Sequence, residues 1–384
     1  MRFFVGGYTA DKGGEADGIG VLHAGAADDV LAGGQLSYAR VVATDGSPSW
    51  LAWHPTLPVL YAAMEAAGTV RAFLRAGEAS FLPLGGAVTA GSAVCHIAVS
   101  PDGGWLVASC YDDGRVVRID LDGRGALGRT VTAEAAHDPY GRSGEPSFAL
   151  AAAPEYPPRE RSAMDALVAL LSERNTVPAP AVASDGARPS HAHEASFTPS
   201  GLVSVDLGLD QVRVWDARGG RLRERARVVL PQGAGPRHCV WHPSGHLFVV
   251  TEHSAEVFVV RPEQDGAWSL VGGAPLIGTT PGSDFPAEIA LTRDARFVLV
   301  GVRGSDTIAT LRVGGDGNAL ATTALVESGV EWPRHHVIAR DTLLVAGERS
   351  HEIASLAIDE RTGIPGRVRH RVTAPSPTQL LADR

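Results

Sequence analysis

Residues 235–260 read GPRHCVWHPSGHLFVVTEHSAEVFVV, and three short apolar runs within them decide the fold. A polar pair, Arg237 and His238, leads into a run that ends at Trp241. A Pro-Ser-Gly turn follows, then a second run from Leu247 to Val250, then Glu252 and a third run from Val257 to Val260. Runs this short, rich in β-branched and aromatic residues and punctuated by Pro and Gly, read as antiparallel strands rather than helices. The stretch is predicted to be a three-stranded meander.

The same unit recurs along the chain. It appears as SPSWLAWHPTLPVLYAAMEAAGTVRAF from Ser47 and AVCHIAVSPDGGWLVASCYDDGRVVRI from Ala93. Further copies are HAHEASFTPSGLVSVDLGLDQVRVW from His191, FPAEIALTRDARFVLVGVRGSDTIATL from Phe285 and WPRHHVIARDTLLVAGERSHEIASL from Trp332. The turn residues Pro55, Pro101, Pro199, Pro243, Arg293 and Arg340 are spaced by 46, 98, 44, 50 and 47. A further β-like segment separates successive units, such as LSYARVVA after Gln35 or VRHRVTAP after Arg367. Four strands per step of this length make a propeller blade.

The two ends of the chain complete the pattern. The tail SPTQLLADR, from Ser376 to Arg384, aligns with SPSWLAWHP, the first strand of a unit. The start, RFFVGGYTADKGGEADGIGVLHA, supplies the second and third strands of a unit that lacks its first. One blade built from both termini closes the ring and removes the open sheet edges that invite aggregation. The expectation is an all-β, seven-bladed β-propeller with four-stranded blades, one domain over residues 1–384. The double-length step is expected to be an insertion at 134–190 between the second and third repeats. It contains a helix-like run, SAMDALVALLSER from Ser162 to Arg174.

Composition narrows the function classes. The chain of 384 residues carries a formal net charge of −9 with no basic block, so neither nucleic acid nor an anionic membrane surface is an expected partner. Cys95, Cys110 and Cys239 form neither a disulfide framework nor a zinc-site spacing. No signal-peptide pattern opens the chain and no apolar run is long enough to span a bilayer. A soluble, cytoplasmic, monomeric protein is expected.

Aligning the units places two polar rows at the start of the first strands, which line the central channel of a propeller. One row reads Trp50, His96, Glu194, His238, Glu288, His335 and Gln379; the row before it reads Ser49, Cys95, His193, Arg237, Ala287, Arg334 and Thr378. The second strand returns to the same rim, where its end carries Tyr8, Glu65, Tyr111, Asp206, Glu252, Arg303 and Glu348. Histidines, arginines and carboxylates from distant blades are thereby expected in one concave site suited to a small anionic ligand.

Several strings carry a resemblance: GSAVCHIAVSPDG with SCYDDGRV, SHAHEASF with VDLGLDQVRVW, GAGPRHCVWHPSG with TEHSAEV, AEIALTRDARFVLVGVRGSDTIA, and GVEWPRHHV with AIDERTG. Together they resemble the lactonase family of seven-bladed propellers, which includes propeller-type 6-phosphogluconolactonases and carboxy-cis,cis-muconate cyclases. The resemblance runs nearly end to end apart from the insertion. It implies an active site formed by His191, His193, Arg237, Glu252 and Arg303. The chain departs from the family at Val302-Arg303-Gly304, where Asn-Arg-Gly is usual, and it lacks an Arg-Gln pair before the histidines.

The residue types suit lactone hydrolysis, which needs a base to activate water, a cationic group for the tetrahedral oxyanion and an acid for the departing alkoxide. Glu252 or a histidine can be the base, Arg237 the oxyanion or carboxylate partner, and His193 the proton donor. Arg303 and Arg334 can grip a phosphate or carboxylate in forked geometry. His191, His238 and Glu288 complete the expected substrate-binding set. No metal or organic cofactor is called for, although His191 and His193, two apart on a strand and so expected to point the same way, can also be read as metal ligands. His54 and His242, in Trp-His-Pro turns, are expected to bond turn backbone, and Glu288 and Glu348 to pair with neighbouring arginines. The expected substrate is 6-phosphogluconolactone. A non-phosphorylated carboxylated lactone, taken by hydrolysis or cycloisomerisation, is the alternative, as is a silent propeller that binds a ligand or another protein.

Overall fold

A strand that begins polar and ends apolar must pass between two environments, and each inner strand of this protein does so. The computed structural model describes residues 1–26, 32–141 and 188–384. Seven antiparallel sheets are arranged as the blades of a propeller. Their inner strands are Pro48–Trp53, Val94–Val99, Ala192–Thr198, Pro236–Trp241, Phe285–Leu291, Pro333–Ala339 and Pro377–Ala382, and the blades are numbered one to seven in that order. The fourth blade continues through Leu247–Thr251 and Glu256–Pro262 to an outer strand at Trp268–Pro275, so the opening stretch of sequence is a three-stranded meander with a fourth strand appended. Among the described residues the only helices are two single 3-10 turns, Ala10–Lys12 and Arg218–Gly220. None is long and apolar enough to cross a membrane. The helix-like run at 162–174 lies outside the described residues.

The ring is closed as the termini suggest. Pro377–Ala382 pairs antiparallel with Arg2–Gly7, matching Phe3 to Ala382, Phe4 to Leu381 and Val5 to Leu380. This composite blade sits tightly against the first. A Cβ on Gly6 would lie 2.7 Å from the Pro48 carbonyl oxygen, so only glycine fits there. Gln379 also mimics a strand partner, accepting from Leu51 N–H at 2.6 Å and donating to Leu51 O at 3.2 Å.

Apolar side chains pack between blades rather than in one central mass. Seven buried clusters occupy the seven blade-to-blade interfaces; Phe4, Ile19, Leu51 and Leu60 fill the joint between the seventh and first. Burial of these faces is the main driving force for the fold. It also leaves the axis free of the apolar core, so polar residues can collect there.

One irregularity repeats in every blade. Near its polar end each inner strand slips register against the second strand, for example between Pro48 and Trp50, Ala192 and Glu194, or Pro236 and His238. The same slip falls at Cys95, Arg334 and Thr378, and at Ala287 with Glu288 in the fifth blade. The residue skipped is that of the earlier polar row. A bulge breaks the alternation of faces along a strand, so two consecutive side chains can turn toward the axis.

Candidate active site

The bulges assemble a pocket at the mouth of the channel. It is narrow and is lined by Ser49, Trp50, Cys95, His193, Arg237, His238, Arg334 and Thr378 from the inner strands, with Glu65 from a second strand. Two consecutive pairs, Ser49 with Trp50 and Arg237 with His238, both reach it. A regular strand would send one of each pair outward.

The sequence GPR fixes Arg237. Gly235 has a left-handed φ of 68°, and a Cβ there would lie 2.6 Å from the His253 ring. Its N–H donates to Asp210 at 2.8 Å, which anchors the entry to the strand. Arg237 itself is buried. Its Nε lies 3.2 Å from Glu252 Oε2, but neither Nε nor Nη1 makes a hydrogen bond to the protein. Burial, followed by the charges of Arg303 and Arg334, pushes its ionisation down to about 10, so it stays cationic at neutral pH.

Two ionic networks flank the pocket. In the first, Glu252 Oε2 faces both Arg237 and Arg303, the latter at 2.6 Å, while Arg303 Nε donates to Phe285 O at 3.0 Å. Burial would raise the Glu252 carboxyl, yet the two arginines hold it below its ordinary range and it remains an anion. In the second, Arg334 donates to the Tyr8 hydroxyl and pairs with Glu348 at 3.3 Å. Tyr8 Oη donates to Glu65 Oε1 at 3.1 Å, and Lys12 Nζ lies 3.1 Å from the same oxygen.

A layer of aromatic rings and buried acids lies among these groups. Trp50 packs against His96, His238 and His335 with ring centroids 4.4, 5.3 and 5.3 Å away. His193 meets His238 at 5.0 Å and Tyr111 at 5.8 Å. Burial and then the positive charge of Arg237 push His193 and His238 well below the usual histidine range, so both are neutral imidazoles. His96 is driven down to about 3 for the same two reasons. Burial raises Glu194 to about 8, although its Oε2 accepts from Cys239 N–H at 2.7 Å.

Of the residues predicted from sequence, His193, Arg237, His238 and Arg334 line the pocket. Glu252 and Arg303 are not among the lining residues; Glu252 pairs with both Arg237 and Arg303. His191 is displaced: its ring stacks on Tyr111 at 4.5 Å and its Nδ1 bonds to Tyr111 O at 2.7 Å. His193 meets the edge of the same Tyr111 ring, but of the two histidines only His193 lines the pocket. Among the described residues no group of three or more His, Cys, Asp or Glu side chains is arranged to hold a metal ion.

Glu348 does pair with an arginine, but Glu288 does not. It meets His238 Nδ1 at 2.7 Å and His335 Nε2 at 3.4 Å. It is not among the lining residues: it sits in the two-residue register slip of the fifth blade and contacts histidines of the fourth and sixth. Part of its row stitches blades together: Glu194 accepts from Cys239 N–H, His335 from Leu380 N–H at 3.3 Å and Gln379 from Leu51 N–H, each in the next blade round the ring. Tyr8, Glu65 and Tyr111, at the rim in the repeat alignment, contact Arg334, Lys12 and the two histidines His191 and His193. Lys12 was missed, and its position in a short turn outside the repeat offered no periodic signal.

A fold of this kind, with a cationic pocket at the mouth of its channel, defines a class that known proteins then specify. The profile described as "Lactonase, 7-bladed beta-propeller" matches residues 2–382, and the chain belongs to that family. It is 27% identical over 357 residues to the 6-phosphogluconolactonase of Bacillus subtilis strain 168, covering 89% of each chain. Its fold is shared with a Lactobacillus plantarum protein, at a TM-score of 0.78 and 22% identity over 99% of this chain and 98% of that one. The Pseudomonas aeruginosa periplasmic gluconolactonase shares it too, at a TM-score of 0.77 and 22% identity over 100% and 99% of the two chains.

Proposed function

We propose that this protein hydrolyses a sugar lactone, with 6-phosphogluconolactone the leading substrate. The observation that carries this reading is Arg237, a buried cation in the pocket wall whose Nη1 has no protein acceptor and whose Nε has only the Glu252 carboxylate beside it, outside hydrogen-bond geometry. Leaving buried donors unpaired is costly, and an oxyanion at this position would pair them. The relative from Bacillus subtilis, named for this reaction, supports the choice of substrate.

The residues suit a direct attack by water. His193 is neutral, lines the pocket and has an unpartnered Nδ1. It takes a proton from water as the oxygen adds to the lactone carbonyl and the new oxyanion settles beside Arg237. That negative charge raises the proton affinity of His193 just as the proton moves. Collapse of the tetrahedral adduct breaks the ring C–O bond, and the imidazolium returns its proton to the departing alkoxide. Glu252, held as an anion by two arginines, is the weaker proton acceptor and serves to orient Arg237 and Arg303.

One observation favours a non-phosphorylated substrate. Lys12, Arg237, Arg303 and Arg334 face Glu65, Glu252 and Glu348, so four positive charges meet three negative ones and one charge is left for the ligand. A singly charged or neutral lactone matches that balance better than a phosphate dianion. Acid release from a panel of gluconolactone, 6-phosphogluconolactone and a carboxylated lactone, followed by pH-stat, tests both readings. Preference for the phosphorylated member supports the first and preference for another member the second. No release above background by folded protein sinks both. Glu252→Gln should lower kcat/KM about 10- to 100-fold by loosening the arginines that hold the oxyanion.

A further inference from the structure

Glu288 and His238 form a contact whose protonation has a consequence for the pocket. The Glu288 carboxyl meets His238 Nδ1 at 2.7 Å, and the His238 ring lines the pocket between Trp50 and His193. Among the described residues no protein partner is found for His238 Nε2. The next blade constrains the other side. Leu380 N–H donates to His335 Nδ1, so the neutral His335 ring carries its proton on Nε2, which faces the same Glu288 oxygen at 3.4 Å. Arg237 of the fourth blade, Glu194 of the third and His335 of the sixth face Glu288, and Arg237, His193, His96 and His335 face His238.

A buried carboxyl-imidazole pair without net charge holds two protons. Where the carboxyl supplies the proton of the Nδ1 contact, the imidazole's own proton is on Nε2; only a carboxyl protonated on its other oxygen would leave that proton on Nδ1. Burial disfavours a net charge here, and a second buried acid, Glu194, disfavours a negative one further. Burial, then the proximity of Glu194, raises Glu288 well above the carboxylate range, in keeping with a pair that carries no charge.

We infer that Glu288 is a positioning residue rather than a substrate contact: it locks His238 in the tautomer that presents Nε2–H to the pocket as a hydrogen-bond donor. Resting on the lactonase reading, this gives the pocket a neutral donor beside Arg237 for the carbonyl oxygen or a sugar hydroxyl. An apolar residue at 288 would leave the imidazole free to rotate and to exchange tautomers.

Two arms test this. In full-length protein labelled with 13C and 15N histidine, with His238 assigned through a His238→Gln variant, the ring nitrogen shifts report the tautomer at neutral pH. Protonated Nε2 is expected, and an unprotonated Nε2 overturns the inference even if no lactone is turned over. In the second arm Glu288→Leu should lower kcat/KM about 100-fold. Glu288→Gln, a neutral group of the same shape, should stay within about 10-fold of the parent and lose the alkaline fall in rate that ionisation of the pair causes. A Glu288→Leu protein with the parental rate and pH profile, or a Glu288→Gln protein as impaired as Glu288→Leu, also overturns it. Should Glu288→Leu not fold, the spectrum and the glutamine variant still decide.

Discussion

The two ends of the inner strands hold similar residues in opposite conditions. At the turn end His54 is fully occupied: its Nδ1 accepts from Thr56 and Leu57 N–H at 3.2 and 3.0 Å, and its Nε2 meets Gly103 O at 3.1 Å in the next blade. His242 repeats the arrangement three blades on, with Ser244 N–H donating to Nδ1 at 3.1 Å and Nε2 against Ala295 O at 2.9 Å. At the pocket end Arg237 Nε and Nη1 and the Nδ1 atoms of His96 and His193 are buried without a hydrogen bond, although Nε keeps its ion pair with Glu252. Folding alone favours the satisfied arrangement. Unpaired buried groups occur elsewhere too, His246 Nε2 at a turn end and both His336 nitrogens among them, but Arg237 and His193 also line the pocket, where a ligand can complete the structure.

Removing Arg237 should break this contrast most sharply. Arg237→Met keeps much of the side-chain volume and deletes the unpaired donors. Hydrolysis should fall about 100- to 1000-fold in kcat/KM, the loss that follows removal of an oxyanion donor. Thermal stability, followed by circular dichroism, should change little, because the unbonded donors are removed while Glu252 loses one cation but keeps Arg303. A large drop in Tm would instead make Arg237 part of the scaffold.

The pH dependence of stability is the next largest effect and comes mainly from the pocket end. His54, His96, His193, His238, His246, His335 and His336 all have their ionisation pushed down, chiefly by burial. Their contribution is complete above the unfolded value of 6.5 and is lost as pH falls below it, because the unfolded chain then binds protons that the fold refuses. Glu194, Glu256 and Glu288 are raised by burial and act the other way. Their contribution is present below the unfolded value of 4.5 and fades as pH climbs through the folded values, about 8 for Glu194. Between these two unfolded values the seven histidines outweigh the three acids; above the histidine value only the acids vary. Tm should therefore peak near pH 6.5 and fall more steeply on the acid side, as a series of melts would record.

Much of this architecture was legible because it is written locally and repeated. The polar-apolar-turn rhythm gave six units, and SPTQLLADR matched SPSWLAWHP closely enough to close the ring, a pairing now seen between Phe4 and Leu381. The bulge was not legible. The skipped residues are Ser49, Cys95, His193, Arg237, Arg334 and Thr378, with Ala287 beside Glu288 in the fifth blade, and they share no residue type that would mark the slip. Partner choice was legible only in part, although blade order contains it. Tyr8 of the seventh blade joins Glu65 of the first and Arg334 of the sixth; Glu288 of the fifth lies between His238 of the fourth and His335 of the sixth. In a closed ring, consecutive repeats are spatial neighbours, so these pairs follow from the alignment once the ring is accepted. His191 and His193 both meet Tyr111, yet only His193 reaches the pocket lining, a difference that their two-residue spacing does not carry.

The smallest expected effect sharpens the contrast from its other end. His54→Ala strips partners from two turn N–H groups and one carbonyl, and costs about 1–3 kcal/mol of stability. Water can reach the turn and recover part of that loss, which keeps the figure below that of a fully buried deletion. The joint between the first and second blades loosens, while the pocket, at the opposite end of the strand, keeps its geometry. Urea melts should shift to a lower midpoint with an unchanged slope, and kcat/KM per folded molecule should match the parent. A change in kcat/KM as large as that of Arg237→Met would mean that the turn end reports on the chemistry, and the division between scaffold and site drawn from hydrogen-bond satisfaction would fail.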